Sequence, residues 1–138
     1  MKYIVISILS LVSSVAMADG FRCQGEGYRA KQYNKVQPAE GTRNPAVLVV
    51  SHEDVGTLAT LEGEDIQKSI TEDTVIYEGQ TNSSVDGRFV HVKLEIAKKP
   101  KLTGPYAGKH LAELTLNADG ESKNALLACK RYRKRDQQ

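Results

Sequence analysis

The chain has 138 residues, 40% of them hydrophobic and 26% charged, with 19 Lys+Arg against 17 Asp+Glu and a formal net charge of +2. That balance describes one soluble globular domain: the chain is too short for two ordinary domains and too apolar for a disordered one. Two cysteines and no tryptophan exclude a zinc-finger framework, a haem-attachment motif and a disulfide-dense miniprotein.

The first eighteen residues read as a secretory signal peptide. Lys2 gives a positive start, Tyr3 to Val15 is an apolar run softened only by serines, and Ala16-Met17-Ala18 supplies the small residues before a cut at Asp19. As a helix the run would rise only about 20 Å, short of a ~30 Å bilayer core. No later apolar run approaches the length of a transmembrane helix. Cleavage would leave a single domain of 120 residues, 19–138, with a net charge of +1 and a basic tail over 130–138. Such a domain can bury roughly two-thirds of its unfolded surface, enough for one core. The expected location is the bacterial periplasm or the extracellular space. Asn82-Ser83-Ser84 is a glycosylation sequon, relevant only in a eukaryotic secretory pathway.

Beyond the signal, period-two alternation dominates. Phe21–Gln24, Tyr28–Asn34, Ala46–His52, Thr57–Leu61 and Thr74–Gln80 read as strands. In Phe89–Ala97, Val90, Val92, Leu94 and Ile96 face one way and His91, Lys93 and Glu95 the other. His110–Asn117 and Asn124–Tyr132 repeat the pattern, making about eight strands. Asp86-Gly87 and Asp119-Gly120 are hairpin dipeptides, and the four prolines, at 38, 45, 100 and 105, fall in connections. Only Gly63–Ser69 reads as helix.

Consecutive short strands joined by turns predict an all-β fold, a single antiparallel β-barrel with a β-sandwich as the alternative. Export permits a disulfide, and Cys23 and Cys129 allow only one within the chain. It would close a loop of about 106 residues and tie the first strand to the last. In the chain-entropy model such a loop contributes on the order of 4–5 kcal/mol.

The chain carries little that reads as catalysis. His52, His91 and His110 lack ligand spacing, so no metal and no cofactor is expected. Ser51-His52-Glu53-Asp54 holds the letters of a hydrolytic triad, but neighbours on a strand point to opposite faces. From Ser51 to Gln80, eight carboxylates stand against Lys68 alone. They could serve a small hydrolase only as a close pair with separated pKa values.

Positive charge gathers later. Arg88, Lys93, Lys98, Lys99, Lys101 and Lys109 face a single Glu95, and Lys130, Arg131, Arg133, Lys134 and Arg135 crowd six positions. The candidate anion- or partner-binding residues are Arg88, Lys93, Lys130, Arg131, Arg133, Lys134 and Arg135. The partner classes are anionic lipid, lipopolysaccharide, a polyanionic wall polymer or another protein, with nucleic acid disfavoured by export. The expected function is therefore non-catalytic binding of an anionic envelope component or a protein.

An aromatic-x-Cys start (Phe21-Arg22-Cys23), an all-strand middle and a late Cys129 resemble the small periplasmic inhibitors of c-type lysozyme. In that family a Ser-Gly-x-basic-Tyr loop helps block the lysozyme cleft. The nearest match here, Ser84-Val85-Asp86-Gly87-Arg88-Phe89, departs in spacing and in the aromatic. The resemblance implies, as an alternative, an inhibitor of a lysozyme-type hydrolase that uses Arg88.

Overall fold

The computed structural model describes residues 20–35 and 45–132. The expected signal peptide (1–18) and three of the basic candidates, Arg133, Lys134 and Arg135, lie outside the described residues. Nine strands follow one another: β1 (Gly20–Gly25), β2 (Tyr28–Asn34), β3 (Ala46–His52), β4 (Gly56–Glu62), β5 (Ile66–Ile70), β6 (Thr74–Asn82), β7 (Phe89–Ala97), β8 (His110–Ala118) and β9 (Glu121–Tyr132). They form one sheet in the order β4-β3-β2-β1-β9-β8-β7-β6-β5, and every pairing of neighbours is antiparallel. The sheet curls into a nearly closed barrel.

Turn chemistry sets the register at two corners. Glu26 and Gly27 (φ 51° and 86°) join β1 to β2, and Asp119 and Gly120 (φ 52° and 80°) join β8 to β9. Two successive positive φ values make the tight turn whose twist matches a two-residue hairpin. Alternation then sorts side chains by face. Leu48, Val50, Leu61, Val92, Leu94, Ile96, Leu114 and Leu127 are fully buried inside the barrel, with Ala30, Ala59, Ala112 and Ala125 between them.

The ninth strand is a departure from the sequence reading. Where a helix was expected over Gly63–Ser69, a single 3-10 turn spans Gly63–Asp65 and β5 follows at once. β5 is an edge strand with Ile66 buried and its other residues exposed. Beyond Ile66 neither face is covered, so the rest of its sequence carries no period of two.

The edges β4 and β5 do not pair; the seam is closed by β4 and the 3-10 turn lying against β6 and the β6–β7 loop. A Cβ on Gly79 would sit 1.8 Å from the Asp65 carbonyl oxygen and 2.7 Å from Leu61 Cδ2, so only glycine admits this approach. Nearby, the Ser84 N–H donates to the Leu58 carbonyl at 2.7 Å.

Cys23 and Cys129 face each other directly across β1 and β9, inside the barrel, and are joined by a disulfide. The bond links sheet neighbours separated by 106 residues in the chain.

Candidate functional site

The strand registers assemble a feature on the outer surface. Arg22 of β1 stands opposite Lys31 of β2 on one side and Lys130 of β9 on the other. His110 stands opposite Cys129, so one residue further along the same register Lys109 comes beside Lys130. Four cations, Lys31, Arg22, Lys130 and Lys109, therefore run in a row across β2, β1 and β9 and the residue that leads into β8. At about 4.8 Å between strands the row is about 14 Å long. Arg29, next but one to Lys31, adds a fifth cation beside the row.

These five residues line one concavity of about 770 Å³, together with Gln24, Tyr33, Val49 and Ser51 and without any carboxylate. Among the described residues none of the five forms an ion pair. Two are braced by rings instead: the Arg22 guanidinium lies 4.9 Å from the centre of Tyr132, and Lys31 Nζ 5.6 Å from that of Tyr33. Like charges directly opposite on neighbouring strands repel, so nothing in sheet pairing favours such a row. It can offer an extended anion several positive groups at once.

The earlier candidates divide. Lys130 belongs to the row. Arg131, one position on, points to the other face, where its guanidinium lies 5.9 Å from the Phe21 ring. Lys93 is on the outer face of β7, 4.0 Å from Glu95. Arg88 is in the β6–β7 loop, its Nε 2.9 Å from Asp86 Oδ2 and its Nη1 bonded to Asp119. The Arg88 backbone N–H and then its guanidinium hold the Asp86 carboxyl below its ordinary pKa, and the two aspartates raise that of Arg88. This cation is already neutralised. The sequence reading did not single out Arg22, Arg29 and Lys31, which are separated from one another in the chain and form no charge run.

A second cavity, of about 270 Å³, opens at one mouth of the barrel among Tyr28, His52, Leu58, Val90, Leu116 and Arg88. Tyr28 and His52 meet edge to face at 4.7 Å, and the Asp54 N–H donates to His52 Nδ1 at 3.2 Å. Ser51 lines the outer concavity while His52 lines this mouth, so the two lie on opposite faces. Among the described residues no Asp or Glu is buried. Nor does any group of three His, Cys, Asp or Glu gather as a metal site among them.

The far end holds the two buried polar side chains found among the described residues, His110 and Gln32. His110 donates from Nδ1 to the Ala97 carbonyl at 2.8 Å and packs on Phe21, and Gln32 donates to Asn34 Oδ1 at 3.3 Å. Both are satisfied groups of the core. Tyr77 lies under Lys68, and burial pushes its phenol above the ordinary value, with Arg131 opposing. No helix among the described residues is long and apolar enough to cross a membrane. Comparison with protein families, curated proteins and solved structures finds no match to this chain.

Proposed function

We propose that the protein is an exported, non-catalytic binding domain that docks on a polyanionic component of the cell envelope through the outer face of β2, β1 and β9. The observation that carries this reading is the in-register row Lys31–Arg22–Lys130–Lys109, with Arg29 beside it and no carboxylate in the concavity. Four cations at strand spacing match a ligand with repeated anionic groups better than a single small anion. Each would contribute Coulombic attraction that salt screens. The disulfide supports export, since such bonds persist in oxidising compartments. The pairing of Arg88 with Asp86 and Asp119 weighs against the inhibitor alternative, which needs that guanidinium free for a partner.

The test is binding of long-chain inorganic polyphosphate by the purified protein in rising salt. From 0.1 M to 1 M the screening length falls from about 10 Å to about 3 Å. The proposal expects binding at the lower salt and its loss at the higher, together with loss in Arg22→Glu/Lys130→Glu at the lower. Absence of binding in the wild type, or full binding by the double variant, overturns it.

A further inference from the structure

We propose that the connection between β7 and β8 is a membrane-seating loop that places Leu102 and Tyr106 in the headgroup region of an anionic phospholipid bilayer. This rests on the polyanion reading above and names the source of the anionic groups as lipid phosphates.

β7 and β8 are paired neighbours, and two to five residues suffice to join such strands. Here residues 98–109 intervene, far more than a turn requires. The segment folds back on itself. Lys101 N–H donates to the Lys109 carbonyl at 2.9 Å, Gly108 N–H to Lys101 at 2.8 Å, Lys109 N–H to Tyr106 at 2.9 Å and Ala107 N–H to Gly104 at 3.1 Å. Gly104 and Gly108 take positive φ (87° and 83°) to make these reversals. An ordered loop that buries nothing of its own serves something other than packing.

What it presents is specific in chemistry. Leu102 is 89% exposed and Tyr106 49% exposed, so two apolar groups stand in water on a shaped projection. Around them are Lys98, Lys99, Lys101 and Lys109 and no acidic residue within the loop. Among the described residues none of the four lysines forms an ion pair. The nearest acidic turn, Glu72-Asp73, lies at the Lys98 side, where the Lys98 N–H donates to the Asp73 carbonyl at 2.8 Å. The Lys109 side runs without interruption into the cation row.

A soluble polyanion would satisfy the lysines and leave Leu102 in water. A bilayer offers both layers at once: phosphates for the lysines and, just beneath, apolar depth for the leucine, with Tyr106 suited to the boundary. Near an anionic surface each lysine strengthens partitioning by roughly fivefold, and the gain falls off within a Debye length.

The chain lacks Trp, so Leu102→Trp introduces a single reporter at an exposed position where the fold is not at stake. With vesicles of phosphatidylglycerol and phosphatidylcholine, the proposal expects co-sedimentation and a blue shift of the Trp emission. Vesicles of phosphatidylcholine alone should give neither. In the otherwise unaltered chain, the charge-neutral Leu102→Ser/Tyr106→Ser should weaken vesicle partitioning by on the order of tenfold and leave polyphosphate binding unchanged. Polyphosphate binding without vesicle binding, or vesicle binding with no blue shift and no effect of the double variant, overturns the loop proposal alone. Loss of both ligands in the wild type overturns the polyanion reading with it.

Discussion

Arg22 and Lys130 stand directly opposite one another on β1 and β9, one residue before Cys23 and one after Cys129. The disulfide that staples the two strands on the inside thus forces two cations together on the outside. Lys31 and Lys109 extend the same row on either side, so the repulsion is repeated along it.

The first consequence is an opposition between stability and binding. Lys130 lies between Arg22 and Lys109 and, unlike Arg22, has no aromatic ring beneath it among the described residues. Lys130→Gln is expected to raise stability by about 0.2–1 kcal/mol at low ionic strength, with the gain shrinking as salt rises. Polyphosphate affinity should fall in the same variant. Urea titrations at two salt concentrations check the first half, and loss of stability at low salt would contradict it.

The barrel seam makes a second, purely structural prediction. A Cβ on Gly79 meets the Asp65 carbonyl at 1.8 Å, and backbone cannot swing aside as a flexible side chain can. Gly79→Ala is expected to cost upward of about 2 kcal/mol, read as a lower urea midpoint. Stability equal to wild type would mean that β4 and the 3-10 turn do not lie against β6.

Tyr77 adds an alkaline loss of stability. Its phenol is raised by burial, so the unfolded chain ionises first, near pH 10. The neutral ring's contribution is complete below that pH and is lost as pH rises through the folded value. The protein should therefore lose stability progressively above about pH 10. Tyr77→Phe should flatten that part of the profile, as followed by circular dichroism; an unchanged profile would contradict the assignment.

Arg88 supplies a control on charge. Because Asp86 and Asp119 hold its guanidinium, Arg88→Ala is expected to leave polyphosphate affinity within about twofold of wild type, a change under about 0.5 kcal/mol. Asp86, held below its ordinary pKa by Arg88, contributes to loop order above the ordinary carboxyl range. That contribution is lost as pH falls through its depressed value. A carboxyl titration by NMR should show Asp86 moving to a higher midpoint in Arg88→Ala, and no movement would refute the pairing.

More of the cation row was legible in the sequence than a search for charge runs reveals. Two local turns and one long-range disulfide fix it. Glu26-Gly27 makes a two-residue turn that sets Arg22 against Lys31, and Asp119-Gly120 makes another that brings Lys109 to Lys130. The Cys23–Cys129 bond then sets Arg22 against Lys130. Runs such as Lys130–Arg135 draw the eye, yet Arg131 falls on the other face because side chains alternate along a strand. The β5 strand was hidden for a different reason. Gln67, Lys68 and Ser69 are exposed on both faces of an edge, so no burial imposes a period. The engagement of Arg88 by Asp119 spans 31 residues and has no local signature.

The central claim, that the outer face of β2, β1 and β9 is the binding face, is tested most directly by mapping amide shifts in an NMR titration with polyphosphate. The account predicts that the largest perturbations fall on Arg22, Arg29, Lys31, Lys109 and Lys130 and that Arg88 and Lys93 stay still. Perturbations centred on the Ser83–Arg88 loop or the Tyr28–His52 mouth, with the cation row unmoved, would contradict it.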